Sequence, residues 1–462
     1  MSINPETKVF IAFDLTESGG SFFTLDDPVR GVLDAPFILG GDLPVDVTDH
    51  VASVSISRGK SNELDRYTAG NATITLHNDD RHFDPFYEAG PYFTQILPRK
   101  EVTIETNGIR QFSGFIDDWD LQYQLGNKSF ATVSAVDGFM QLTATQLNEF
   151  TNIEEKSGER VFRILNRAEV AWPIGKRLID QGRRTLQADT VEENTNVLQY
   201  LQLIESTEVG SLFMSRDGAV VFKDRIVGPP IVDTLVFSDG THTDPSDATY
   251  VNYSNIEVVY GSENLYNRIT VTREGGLPQT ADSVNSQAIY GVQTLSLDGL
   301  LLTSDAEAAE LANYLLGVYD EPDLRISSVE VNLHDKTPEQ QGKLLEIDLQ
   351  DVYLIAYTPN GIGDPFEQYA FVQGIRETIG IDFHKITYDF GSIRKFPFIL
   401  DHPVYGVLGG GLPLYDALNA IYDSAIVRYD GQANITADGT PTNKNPGQNV
   451  IDGTPIVIQS IP

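Results

Sequence analysis

The chain has no cysteine among its 462 residues. A disulfide framework, a thiolate zinc site and a cysteine nucleophile are therefore excluded. Positive charge is scarce: 32 Lys and Arg stand against 66 Asp and Glu, a formal net charge of −34. Such a surface repels phosphate backbones, so no sequence-specific nucleic-acid binding is expected. No apolar run approaches the roughly 18 residues that a spanning helix needs, so no membrane span is expected. The opening MSINPETKVF lacks a basic stretch followed by an apolar core, so no signal peptide, and synthesis in a cytoplasm, are expected.

What is present points to β-structure. Aromatics make up 10% of the chain, with many Thr and Val, which argues for an ordered β-rich protein rather than an acidic disordered one. The chain is organised around residues 51–142. Val54 and Ile56 alternate with serines, Ile74 and Leu76 with Thr73, Thr75 and His77, and Val102 and Ile104 with Thr103 and Glu105. This period of two predicts strands with one buried face. Asn107-Gly108 between two such runs predicts a hairpin whose turn residues both take positive φ. A weaker copy follows: residues 351–354, Asn360-Gly361, then residues 369–375. Aligning Gly114 with Gly374 suggests an internal duplication, although hairpins in general share such features.

A second repeat lies at the two ends. Phe23, Leu25, Pro28, Val32 and Leu33 recur at a constant offset as Phe398, Leu400, Pro403, Val407 and Leu408. Gly40-Gly41-Asp42-Leu43-Pro44 is answered by Gly409-Gly410-Gly411-Leu412-Pro413. Each segment is too short to make a core, so each must pack against something. Both are candidate docking arms for a neighbouring subunit, or surface clips on their own domain.

Between these repeats the period changes. Val161, Ile164, Leu165 and Ala168 predict a helix over residues 159–168, ended by Trp172-Pro173. Val197, Tyr200, Leu201 and Ile204 predict another over residues 196–208, capped by Asn196 with Gln199 and closed at Gly210. A hairpin turning at Asp217-Gly218 follows. Ser304 with Glu307 opens a third helix, lined by Ala308, Leu311, Ala312, Leu315 and Tyr319 and stopped at Pro322. Residues 325–391 read as strands, and the chain beyond residue 435 as an extended tail.

Chemistry-bearing clusters are few. His77 and His82 flank Asp79 and Asp80, with Asp84 beyond, but Asp and Asn are ordinary turn residues and no metal site is assigned. Asp117, Asp118 and Asp120 surround Trp119; a solvated strand end explains them as well as a catalytic carboxylate pair does. There is no Gly-x-Ser-x-Gly elbow, and residues 409–411 lack the Lys of a phosphate loop. Residues 239–250 lack calcium-loop spacing. No catalytic, cofactor-binding or metal residue is assigned, no cofactor is expected, and the chain is not expected to be an enzyme.

Several blocks resemble a known family. Ser55 to Lys60, residues 67–78 and Phe83-Asp84-Pro85 look like the opening of minor tail proteins of long-tailed bacteriophages. So do Phe112-Ser113-Gly114-Phe115-Ile116, residues 134–138 and residues 217–225. Over roughly residues 50–395 the resemblance implies a baseplate or tail-tip hub similar to the trimeric hub of contractile tails. The implied fold is mainly β with α+β: two β-barrel hub domains, two smaller α/β domains and extended terminal arms. The corresponding division is an arm over residues 1–45, a barrel over 46–145 and an α+β domain over 146–228. A second barrel follows over 229–257 and 324–396, an insert over 258–323 and a tail over 397–462. The resemblance implies a homotrimer in the virion tail tip that joins the tail tube to distal components and lines the DNA channel. Its implied partners are a distal tail protein or tail-tube ring, the tape-measure protein, and a central fibre or other tail-tip proteins. Rival expectations are a receptor- or glycan-binding tail protein presenting Trp119 or Tyr123, and a tail-associated cell-wall hydrolase.

Overall fold

Alternating segments of the sequence become strands that bury one face each. In a computed structural model, which describes residues 5–13, 43–125, 128–225, 235–240 and 250–393, seven of them form a first half. They are β1 (Thr7–Phe13), β2 (Leu43–Asp46), β3 (Val51–Gly59), β4 (Thr68–His77), β5 (Glu101–Thr106), β6 (Ile109–Gln124) and β7 (Lys128–Val136). Their spatial order is β2-β1-β5-β6-β7-β4-β3, antiparallel throughout. Val54, Ile56, Ile74, Leu76, Val102 and Ile104 all point into one core, as the alternation requires. Asn107 (φ 51°) and Gly108 (φ 78°) make the tight turn between β5 and β6.

A small α+β region follows. Helix α1 (Ser157–Leu165) stops three residues short of the end expected at Ala168. Its last carbonyl is taken by returning chain: Trp172 N and Arg177 Nη2 each donate to Leu165 O at 3.0 Å. Strand β8 (Arg177–Ile179) precedes α2 (Val197–Glu208), whose Asn196 side chain accepts from Gln199 N at 3.1 Å, as a cap should. The left-handed residue closing α2 is Val209 (φ 59°), not the expected Gly210. Gly210 is needed for space, because a Cβ there would lie 2.3 Å from Lys223 O. The hairpin β9 (Ser211–Met214) and β10 (Val220–Lys223) turns at Asp217-Gly218, and β10 pairs in parallel with β8.

The second half begins with β11 (Val236–Ser238), β12 (Tyr250–Asn252) and β13 (Asn255–Gly261). An insert then builds its own three-stranded sheet from β14 (Arg268–Arg273), β15 (Gln279–Asp282) and β16 (Thr294–Leu300). It also holds the short helix α3 (Val284–Tyr290) and the longer α4 (Asp305–Tyr319). Ser304 caps α4, accepting from Glu307 N at 3.3 Å, and Ala308, Leu311, Ala312, Leu315 and Tyr319 are all buried. The chain returns through β17 (Asp323–Asn332), helix α5 (Pro338–Leu345), β18 (Val352–Tyr357), β19 (Phe366–Gly380) and β20 (Phe383–Ser392). Residues 325–391 are thus not all strand. The missed helix α5 carries its own signature, Thr337 as cap, Pro338 at the first turn and Gln340 completing a capping box. It seats Leu344 and Leu345 in the second core.

The second half has the spatial order β12-β11-β18-β19-β20-β17-β13. Numbered within each half, both orders read 2-1-5-6-7-4-3. One strand departs: β11 runs parallel to its two neighbours, where β1 is antiparallel to both. The halves share a finer mark. In β6 the register with β7 slips between Ile116 and Asp118; in β19 the register with β20 slips between Val372 and Gly374. Each slip comes two residues after a phenylalanine, Phe115 or Phe371. Aligned on this bulge, Phe115 corresponds to Phe371, so the pairing of Gly114 with Gly374 made on sequence is displaced.

The β-rich class read from the sequence holds. The two expected barrels are, in their hydrogen bonding, two halves of one 14-stranded sheet. Strand β3 pairs antiparallel with the distal part of β19, from Gly59 opposite Gly374 to Ser53 opposite Gly380. No pairing among the described residues closes either half on itself. Each half nevertheless has its own apolar core.

Candidate functional site

The ten candidate arm residues, Phe23, Leu25, Pro28, Val32, Leu33, Phe398, Leu400, Pro403, Val407 and Leu408, lie outside the described residues. The remaining candidates fall on the sheet. The turn after β4 disperses the five residues noted on sequence. His77 faces Phe130 at 5.3 Å between ring centres. Asp79 Oδ1 accepts from Ser129 N at 2.7 Å, and Asp84 accepts from Phe86 N and pairs with Arg81. These contacts fix the turn. Asp80 and His82 stay together, His82 Nδ1 lying 3.1 Å from Asp80 Oδ2. The structure adds His50 from the short turn Thr48–His50, with its Nε2 3.4 Å from His82 Nδ1. Nothing in the sequence points to His50, which stands alone some thirty residues upstream.

The acidic trio is a consequence of the bulge in β6. Asp117 is the extra residue there, and Asp117, Asp118 and Asp120 are all exposed. Trp119 is half-buried, stacked at 6.2 Å on Phe83, with Nε1 donating to Leu97 O at 3.3 Å. Tyr123, further along, is 57% exposed. An open hollow of about 320 Å³ lined by Leu142, Thr145, Val170 and Trp172, among others, has Arg99 as its one charged group.

Buried ionisable groups are engaged in holding the chain. Arg160 donates to Asp189 at 2.6 Å, to the Tyr200 hydroxyl at 3.0 Å and to two backbone carbonyls, and also pairs with Glu155. Burial pushes the Asp137 carboxyl up to about 7, against backbone donors Phe139 N and Gly70 N that favour its charge. Glu205, accepting from Leu212 N at 2.8 Å, is likewise pushed up to about 7 by burial.

Two of the open strand edges bear on the joint between the halves. Beyond Ile116, β6 pairs with β7 on one side; β13 pairs with β17 on one side. No strand among the described residues meets their other edges. These are the counterparts of the edges that join the halves: β19 beyond its bulge, and β3.

No protein-family model and no curated protein sequence matches the chain. Solved structures do. The 43 kDa tail protein of prophage MuSo2 from Shewanella oneidensis matches over 83% of this chain and 98% of its own, with TM-score 0.53 and 11% identity. A tail protein from Neisseria meningitidis MC58 matches over 85% and 97%, with TM-score 0.54 and 12% identity. The chain has the fold of these tail proteins. The shared fold spans most of the chain. Sequence reasoning reached it through short blocks, while the open edges escaped notice.

Proposed function

We propose that the chain is a structural hub of a phage tail tip, three copies of which close a ring. The observation that carries this reading is the joint between the halves. Within one chain, strand 3 of the first half adds to strand 6 of the second. Repeating that joint from chain to chain adds β13 of one copy to β6 of the next, with no new kind of contact. Each chain then supplies two similar segments, and three chains a ring of six, which suits a sixfold tail tube.

The register follows from the internal joint. Asp118 corresponds to Gly374 across the bulge, and Gly261 to Gly59, so Asp118 lies opposite Gly261 and Gln124 opposite Asn255. One face then pairs Trp119 with Tyr260, Leu121 with Val258, and Tyr123 with Ile256. Tyr123 and Tyr260 are exposed in the single chain, 57% and 70%. Leu121 and Trp119 already lean on the first core, and Ile256 and Val258 on the second. Joining the edges would continue both cores across the seam and satisfy two rows of backbone groups.

In this reading the chain joins the tube to distal tail proteins, contacts the tape-measure protein, and gives the passing DNA an acidic wall of three times −34. The terminal repeats dock on neighbouring subunits. The division into two hub domains, an α+β domain, an insert and two arms is part of the proposal. Cryo-electron microscopy of assembled tails should show threefold density for this chain; a sixfold or single copy would refute the ring. The absence of native cysteine permits a test of the register. In assembled tails, chains carrying both Gln122→Cys and Glu257→Cys should oxidise to covalent trimers. A threefold hub that fails to cross-link would keep the ring and refute the register.

A further inference from the structure

We propose that His50, Asp80 and His82 form a site for a divalent transition metal of the zinc class. Each offers one ligand atom, and the three atoms lie within 4.8 Å of one another. A tetrahedral ion bonded at about 2.0–2.1 Å to two imidazole nitrogens sets them about 3.3–3.4 Å apart. His50 Nε2 and His82 Nδ1 are 3.4 Å apart, longer than an ordinary N–H hydrogen bond. The Asp80 carboxylate oxygen lies 3.1 Å from the same His82 nitrogen. Two imidazoles and a carboxylate suit zinc, cobalt or nickel better than calcium or magnesium, which prefer oxygen ligands.

The ligands are held by contacts independent of any ion. His50 closes the turn after β2, where its N–H donates to Val47 O at 3.0 Å, while Thr48 Oγ1 accepts from Val9 N at 3.0 Å. The other two sit on the turn after β4. There Asn78 Oδ1 accepts from Phe83 N at 2.9 Å and Asp80 Oδ1 from His82 N at 3.2 Å. The His50 ring also meets buried Phe83 edge-on, at 5.2 Å between centres. Asp80 and His82 are 45% and 37% exposed, which leaves a fourth position open to water. A bound ion would clip the β2–β3 connection to the β4 turn, tying the N-terminal strand pair to the sheet. This site does not depend on the hub reading.

The test uses the full chain, stripped with a chelator and free of any histidine tag, titrated with Zn²⁺ by calorimetry. One ion per chain is expected, with a raised Tm. His50→Ala and His82→Ala should each weaken binding at least tenfold, and His77→Ala should leave it unchanged. Absence of Zn²⁺ binding, or binding undiminished in both variants, overturns the proposal. Should a variant fail to fold, Co²⁺ added to the unaltered chain decides: intense visible bands of a tetrahedral nitrogen–oxygen site support the assignment, and the weak spectrum of hydrated Co²⁺ refutes it.

Discussion

Replacing Gly59 by alanine tests how the two halves of the sheet are joined. Gly59 ends β3 at φ +98° and lies opposite Gly374 of β19. A Cβ at this position would come 2.3 Å from Gln373 O, 2.8 Å from Gly374 Cα and 2.9 Å from Leu349 Cδ2. Two of those atoms belong to the backbone of the neighbouring strand, which a rotamer change cannot move aside. The left-handed conformation costs an alanine about 1–2 kcal/mol. Forcing an atom into packed backbone costs about 1–3 kcal/mol more. Gly59→Ala should therefore lose about 2–5 kcal/mol. Gly108→Ala is the matched control, with φ +78° and nothing within 4 Å of an added Cβ. It should lose only the conformational part, about 1–2 kcal/mol. Urea unfolding followed by circular dichroism, with Trp119 and Trp172 fluorescence as local reporters, measures both. A Gly59→Ala chain no less stable than Gly108→Ala would show that the seam tolerates separation and that the close approach does not hold the halves together.

Three further expectations concern the same molecule. Burial raises Asp137 and Glu205 to about 7, so the folded chain keeps protons that the unfolded chain releases above about pH 4. Their contribution to stability is full below the unfolded pKa and is lost as pH rises through 7; Asp137→Asn should flatten that decline, and an unchanged slope in pH-dependent urea melts would refute it. Arg160→Met removes the countercharge from buried Asp189 and one of the two arginines paired with Glu155, and should cost about 3–5 kcal/mol, read from the α+β region by Trp172 fluorescence; a loss below about 1 kcal/mol would mean water reaches Asp189. Gly342→Ala, inside α5 with nothing within 4 Å of an added Cβ, should raise stability by about 0.5–1 kcal/mol in the same melts, and a loss would place an unseen contact there.

The sequence by itself determined the local structure. Alternation at Val54, Ile74 and Val102 requires one buried face, and Asn107-Gly108 requires a tight turn, whatever the rest of the chain does. The cap of α2 at Asn196 and that of α4 at Ser304 follow from side chains that satisfy nearby N–H groups. The missed α5 was equally local, with its Thr337-Pro338-x-Gln340 signature present in the chain. Tertiary structure decided what distant segments do to one another. The end of α1 depends on Trp172 and Arg177 returning to Leu165, and the role of Gly210 on the carbonyl of Lys223. His50 joins Asp80 and His82 only because the sheet brings the β2–β3 connection beside the β4 turn. The open edges of β6 and β13 exist only as positions in a sheet, since an edge is defined by the neighbour a strand lacks. Short-range hydrogen bonding and side-chain period are written residue by residue; strand order and ligand convergence emerge only when cores of widely separated residues pack together.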